Sequence, residues 1–397
     1  MRIAMFADNF YPELSGITDS LLESARELGG LGHDVDFYVP KYTPRDFALY
    51  NVPYEEIDLG RNVTIHRIPS LKFPAPTQQG RMVIPTFLRW IGMRKNKPDI
   101  IHTHLFFGAG MEALAASKFL KVPLVGTNHT PITEFLQYGP VSGKLLDKLG
   151  LGFVSWYYNK CEQITAPSQG ILDEMQQHGF NKSCRVISNP VDLQNFFPVS
   201  EEVRIEHKKE FELSEFTVLY TGRLAVEKHI DVLIRAVGLL KDKIPQITFA
   251  ITGHGDAEAS LKQLAEELQL GGMVKFFGTL SVEDHAKIYK AADVFAIAST
   301  AETQSLSLMK AMAAGIPAIG VNARALPEYI KKENGFILEP GDYQGIAEKI
   351  LFLFENPEKR KELGARGIAM VQGYSPAKIA AEWNQLYKEV QLECKSK

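Results

Sequence analysis

Thr217-Val-Leu-Tyr-Thr-Gly-Arg-Leu-Ala-Val-Glu-Lys-His-Ile230 passes from a mainly apolar run, through a glycine and a loop bracketed by two cations, into a helical pattern. A short apolar run that stops at glycine reads as a buried strand and a tight turn. The same unit recurs downstream, with strand-like runs at residues 247–252, 274–277, 294–298 and 318–321, each followed by helical spacing. Upstream, residues 2–7 form an apolar run, and Leu21, Leu22, Ala25 and Leu28 then share one helical face. Gly29, Gly30 and Gly32 end that helix, and residues 35–39, 99–102, 124–126 and 186–187 supply further strand candidates. Strands separated by helices of this length predict βαβ units and parallel sheets. Two such series predict an α/β chain of two doubly wound domains, each binding ligands at the carboxyl ends of its strands. The boundary is expected near Asp192, just after the Asn189-Pro190 turn, giving domains of residues 1–192 and 193–374. A last helical segment follows Gly373-Tyr374-Ser375.

Composition narrows the function classes. With 397 residues and 45% hydrophobic residues, the chain has material for two cores. The formal net charge of -3 provides no global attraction to nucleic acid, and no nucleic-acid partner is expected. Cys161, Cys184 and Cys394 are widely spaced, which argues against a disulfide framework or structural zinc and fits a reducing compartment. The start, Met1-Arg-Ile-Ala-Met-Phe-Ala7, is too short for a signal h-region, and no apolar stretch approaches the roughly 18 residues of a bilayer span. A cytoplasmic protein, peripheral on the inner face of the cell membrane at most, is the expectation.

Three loops could carry chemistry. In Tyr220–Lys228, Gly222 allows close backbone approach, and Arg223 and Lys228 flank the positive end of the helix beginning at Ile230. That suits a diphosphate, although two solvated surface cations would look the same. Ile251-Thr-Gly-His-Gly-Asp256 is a second glycine loop between strand and helix, a weak nucleotide signal alone. In Ser299–Lys310, the carboxylate of Glu302 precedes Thr303, Gln304, Ser305 and Leu306 at a helix start, where free N–H groups suit an anion or sugar hydroxyl. Glu302 could equally be a carboxylate stabilising that helix end.

On these residues the chain resembles the family-4 retaining glycosyltransferases, and the resemblance covers essentially the whole sequence. It implies the GT-B fold, two Rossmann-like domains facing across a cleft, with a closing segment of residues 375–397 crossing back to the first domain. Gly16 takes the position of the family's glycine near the phosphates, and His129 in Thr127-Asn-His-Thr130 that of its histidine beside the transferred sugar. Arg223 and Lys228 match the diphosphate pair, and Glu302 the first glutamate of a signature of two glutamates separated by seven residues. Gly222, Gly253, Thr279, Leu280, Thr303, Gln304, Ser305 and Leu306 complete the implied donor site, with the base read near Gly278-Thr-Leu280. At the second glutamate this chain has Lys310, and Ser305 replaces a usual glycine. A lysine only donates hydrogen bonds, so it cannot accept from ribose hydroxyls as glutamate does.

The implied reaction is retaining transfer of a hexose from a nucleotide-diphosphate sugar, UDP-glucose favoured, to a hydroxyl acceptor. No cofactor or metal is expected: Arg223, Lys228 and the helix end supply the positive charge, with Glu302 orienting sugar hydroxyls. Asp34 and Asp36 lie at a strand start, where edge or surface placement is expected, and His102 and His104 lack a third ligand, so these histidines are assigned to packing or hydrogen bonding at the strand end. For the acceptor, residues 81–97 contain Arg81, Arg89, Arg94, Lys95 and Lys97, no acid, and Phe87 and Trp90 among other apolar residues. Such a stretch is either a packed helix with a solvated basic face or one lying on an anionic membrane. Lipid-glycosylating members, including diacylglycerol glucosyltransferases, place basic-aromatic helices in this region, which points to a lipid acceptor such as diacylglycerol. The alternatives are a transferase for a sugar phosphate or small metabolite, and a sugar-nucleotide-binding protein impaired by Lys310. A nicotinamide-dependent dehydrogenase is disfavoured because no Gly-x-Gly-x-x-Gly follows the first strand.

Overall fold

The computed structural model describes residues 1–13, 15–49, 52–72, 80–130 and 144–395, with only the backbone at 144–147. Residues 396 and 397 of the closing segment lie outside the described residues. The chain forms two compact units, Met1–Pro190 with Pro376–Lys397, and Val191–Ser375.

In the first unit, β1 (Arg2–Phe6), β2 (Asp34–Pro40), β3 (Val63–Ile68), β6 (Ile100–Thr103), β7 (Leu124–Thr127), β8 (Gln163–Ala166) and β9 (Cys184–Val186) form one sheet in the order β3-β2-β1-β6-β7-β8-β9. All recorded pairings in it are parallel. A small antiparallel ribbon, β4 (Ser70–Lys72) with β5 (Arg81–Val83), stands apart. Residues of β6, β7 and β8 are buried along their full length, as expected for parallel strands covered on both faces. The helix Gly16–Gly30 packs against the closing helix Pro376–Lys395.

In the second unit, β10 (Phe216–Thr221), β11 (Ile247–Thr252), β12 (Val274–Gly278), β13 (Val294–Ala296), β14 (Ala318–Val321) and β15 (Gly335–Leu338) form a parallel sheet in the order β12-β11-β10-β13-β14-β15. The helix Ile230–Gly238 buries Ile230, Leu233, Ile234 and Val237 because those residues fall on one helical face. At the amino end of β13, buried Asp293 accepts from the Lys208 ammonium at 2.6 Å and the Thr217 N–H at 2.9 Å, and also pairs with Arg204. That carboxylate fastens the base of the sheet, the end opposite the candidate site.

Both sheets reverse their winding once, between β1 and β6 and between β10 and β13. Loops leaving those strands diverge to opposite sides, and the gap between them is where doubly wound sheets bind ligands.

Candidate functional site

The reversal in the second unit gathers the sequence-predicted loops. Gly222–Lys228 leaves β10, and Ser299–Leu306 lies between β13 and the helix Leu306–Ala313. The Lys228 ammonium donates to Glu302 Oε1 at 2.6 Å, and the Arg223 guanidinium pairs with Glu227 of the same loop. Each cation is thus held by a carboxylate from its own loop pair. The two loops are also laced by backbone, with the Thr300 N–H donating to the Glu227 carbonyl at 3.2 Å. Burial would raise the Glu302 carboxyl, but Lys228, Ser299 and Ser305 outweigh it and hold the group below its ordinary value. Glu302 is therefore charged at neutral pH.

The glycines are there because backbones touch. A Cβ on Gly253 would lie 2.0 Å from the Gly222 carbonyl oxygen, and one on Gly255 would lie 2.1 Å from that of Leu224. The Gly253 N–H donates to the Gly278 carbonyl at 2.7 Å, so the loops after β10, β11 and β12 form one hydrogen-bonded rim. Thr279, exposed, and Leu280, half-buried, follow on that rim.

Ser305 caps the helix Leu306–Ala313, its hydroxyl accepting from the Leu308 N–H at 3.3 Å. Thr303 is half-buried and Gln304 buried beside it. Lys310, one turn into the helix, has its ammonium 5.2 Å from the centre of the Phe196 ring. Its charge also bears on His285, whose imidazole is pushed down to about 3, first by burial and then by Lys310. His285 in turn bonds Thr221 at the end of β10, 3.0 Å away. Phe196 and His285 carry no motif, and only packing reveals them as the neighbours of Lys310.

In the first unit, His129 follows β7 and is buried. Its Nε2 lies 3.0 Å from His104 Nδ1, just beyond β6, and burial pushes its ring down to about 4. His102 and His104 are packed and hydrogen-bonded, His102 between Tyr387 and Thr127 at 2.7 Å each. Among the described residues, no group of three or more histidine, cysteine, aspartate or glutamate side chains could hold a metal ion. Gly16 is exposed and begins its helix behind Ser15, whose hydroxyl accepts from the Thr18 N–H at 3.2 Å. Sequence reasoning missed Asp8. This buried carboxylate at the end of β1 accepts from the N–H groups of Val83 at 3.0 Å and Ala109 at 3.1 Å. Burial raises it to about 6 against those bonds.

The basic-aromatic segment requires a correction. No continuous helix spans residues 81–97, because the helix there is the single turn Trp90–Met93. Arg81 belongs to β5 and donates to Asp46 at 2.9 Å, so it is not a free surface cation. Glu112 breaks any helix upstream: its carboxylate accepts from the Thr86 hydroxyl at 2.8 Å and the Phe87 N–H at 3.0 Å, and it stands 3.9 Å from Arg89. Phe87 takes a left-handed φ of 59° in this turn. Arg94 and Lys95 are exposed, and Trp90 is half-buried, stacked on Phe119 at 4.9 Å. A lone acid in the small-residue helix Gly108–Leu120 was the available sign of the Glu112 anchor.

Residues 14–195 match the Glycosyltransferase Family 4 model, and residues 202–370 match the model for Glycosyl transferases group 1. The α-monoglucosyldiacylglycerol synthase of Acholeplasma laidlawii is 26% identical over 98% of this chain and 97% of its own length. A GDP-mannose-dependent α-mannosyltransferase of Corynebacterium glutamicum is 27% identical over 87% of this chain and 78% of its own. In fold, the chain superposes on Anabaena HepE, solved in complex with UDP, with a TM-score of 0.78 at 20% identity, covering 98% of this chain and 100% of the other.

Proposed function

The chain belongs to the family-4, group-1 glycosyltransferases of GT-B fold, and from that premise we propose that it moves a hexose with retention from UDP-glucose to the hydroxyl of a membrane lipid such as diacylglycerol. The observation that carries the donor half is the convergence of Arg223, Lys228 and Glu302 at the winding reversal. A diphosphate brings enough negative charge to compete with Glu227 and Glu302 for the two cations. Once Lys228 turns to the leaving group, Glu302 is released to accept from sugar hydroxyls. The bond between the anomeric carbon and the β-phosphate oxygen breaks as the acceptor oxygen bonds on the same face. The acceptor proton goes to a phosphate oxygen, and Arg223, Lys228 and the helix end behind Ser305 stabilise the departing charge without a metal. His129, in the other unit, is assigned to a sugar hydroxyl.

The lipid half rests on a surface as well as on the synthase likeness. Leu88, Ile91 and Phe119 are 59%, 51% and 56% exposed, and Leu149 and Trp156 on the neighbouring helix Lys144–Tyr158 are 61% and 44% exposed. The helices are adjacent, since the Tyr157 hydroxyl donates to the Gly110 carbonyl at 2.8 Å. Arg94 lies 5.8 Å over Trp90 and Lys160 lies 5.9 Å over Trp156, so cations border the apolar groups. Such a face suits anionic headgroups with shallow apolar insertion. No helix among the described residues is long and apolar enough to cross a membrane, so contact from one side is the geometry proposed. Incubation with UDP-glucose and diacylglycerol in phosphatidylglycerol-containing vesicles should give glucosyldiacylglycerol. Turnover with a sugar phosphate and none with lipid would instead make the acceptor soluble. Lys310 favours the second reading, a binding protein without transfer, and donor binding with no turnover on any acceptor would support it.

A further inference from the structure

Three histidines stand in file at the ends of β6 and β7, and they differ in how their nitrogens are satisfied. His102 is tied at both ends, Nδ1 to the Tyr387 hydroxyl and Nε2 to Thr127 Oγ1, each at 2.7 Å. Its ring lies 3.9 Å from that of His104 and forms a fixed wall behind it. His104 and His129 face each other through Nδ1 and Nε2 at 3.0 Å, with their rings inclined by only 24°. The outer nitrogens of that pair, His104 Nε2 and His129 Nδ1, are buried without a hydrogen-bond partner among the described residues. Burial holds both imidazoles in the neutral form at physiological pH, so each carries one proton.

One proton therefore occupies the contact between the rings, and its position fixes both outer nitrogens. If His104 Nδ1 holds it, His129 must carry its own proton on Nδ1 and presents a donor there. If His129 Nε2 holds it, His129 Nδ1 is a bare acceptor and His104 Nε2 carries an N–H with no acceptor. In either state the pair stays neutral, and the imidazole of His129 is held by His104, with Nδ1 as its one ring nitrogen uncommitted among the described residues. A sugar hydroxyl can satisfy that nitrogen whichever tautomer is fixed, since it both donates and accepts, whereas a phosphate oxygen or carboxylate suits it only when it carries the proton. Resting on the assignment of His129 to the sugar, we infer that His104 is a positioning residue: its bond to His129 fixes the orientation and tautomer with which His129 meets a hydroxyl of the transferred hexose.

The test separates sugar from nucleotide. UDP-glucose turnover onto diacylglycerol, UDP binding, and long-range 1H–15N spectra of labelled histidine are measured for His104→Phe, His104→Asn and His129→Ala. A phenyl ring fills the site without a hydrogen bond, whereas an asparagine amide offers a donor or an acceptor close to where Nδ1 stood. His104→Phe should lower kcat for UDP-glucose about 10- to 100-fold, the size expected for one lost buried hydrogen bond. UDP affinity should stay unchanged, and the His129 nitrogen resonances should move toward averaged tautomers. His104→Asn should recover most of the turnover. Equal turnover in the Phe and Asn variants, or His129 resonances identical to the parent in the Phe variant, would overturn the inference. If the Phe variant does not fold, the parent spectrum still decides, because freely interchanging His129 tautomers defeat a fixed one. Full turnover in His129→Ala removes the assignment of His129 itself; an inactive His129→Ala beside a fully active His104→Phe removes only the role of His104.

Discussion

The winding reversals of the two sheets solve the same topological problem with opposite chemistry. In the second unit the loops after β10 and β13 are charged and partly open, each cation neutralised by a carboxylate: Arg223 by Glu227 and Lys228 by Glu302. In the first unit the loops after β1 and β6 carry Asp8 and His104, and His104 meets His129 beyond β7, all buried and bound to backbone or to one another. The charged pairs can exchange partners when a polyanion arrives, because a diphosphate offers each cation charge-assisted hydrogen bonds of the same kind as its carboxylate does. Charging the buried histidines carries a desolvation cost, which keeps them neutral at physiological pH. The difference suggests a division of labour in which one unit answers to charge and the other to neutral hydroxyls.

Removing the cations should break that comparison most severely. Arg223→Ala and Lys228→Ala are each expected to lower kcat/KM for UDP-glucose roughly 100- to 1,000-fold, the range for a lost oxyanion-stabilising donor. Unchanged turnover in either would take that residue out of the leaving-group role. Next in size is Lys310→Glu. Restoring an acceptor where ribose hydroxyls are expected should tighten UDP about 10-fold or more, since hydrogen bonds to charged groups contribute roughly 1.5–3 kcal/mol. The same change removes a cation that depresses His285, so the His285 resonance should titrate at higher pH. Looser UDP binding would show that Lys310 itself contacts the donor.

A smaller effect is expected at the apolar face. Leu88→Ser with Ile91→Ser should reduce co-sedimentation with phosphatidylglycerol vesicles several-fold while leaving UDP binding intact. Retained sedimentation would move the lipid contact elsewhere. The smallest effect sharpens the contrast in burial. His129 and His285 are depressed to about 4 and 3 by burial first, below the ordinary 6.5, and His102 and His104 are also well below it. An unfolded chain takes up those protons first, so this stability is present above about pH 6.5 and lost as pH falls toward 4. Asp8 acts oppositely: raised to about 6, its contribution is present at low pH and lost as pH rises through 6. Five histidines, since burial lowers His33 as well, against two raised carboxylates, Asp8 and Glu382, predict a melting temperature that drops by several degrees between pH 7 and pH 5. A flat or rising profile over that interval would contradict the neutral state assigned to the histidines.

Much of this was legible in the residues. Runs such as Thr217–Thr221 and Ile247–Thr252 declare themselves because strands covered on both faces need unbroken apolar side chains. The short β8 and β15 did not, since four residues bracketed by polar turns carry little periodic signal. Gly222 announced a close backbone approach, but not that the partner is the glycine at 253. The segment at 81–97 misled in shape, because its composition suits a helix while a buried acid 15 or more residues downstream binds its backbone in a turn.

By itself, then, the sequence determined the alternation of strand and helix, the two doubly wound series, and the residue types offered at their carboxyl ends. These are local properties, set by side-chain periodicity and by what a glycine or a helix end permits. Only the tertiary structure decided which charges are paired, that Lys310 faces Phe196, and that His104 and His129 meet through their ring nitrogens. Pairing and protonation depend on distances between residues that are far apart in the chain, and on how far burial removes them from water. No spacing along the sequence encodes either.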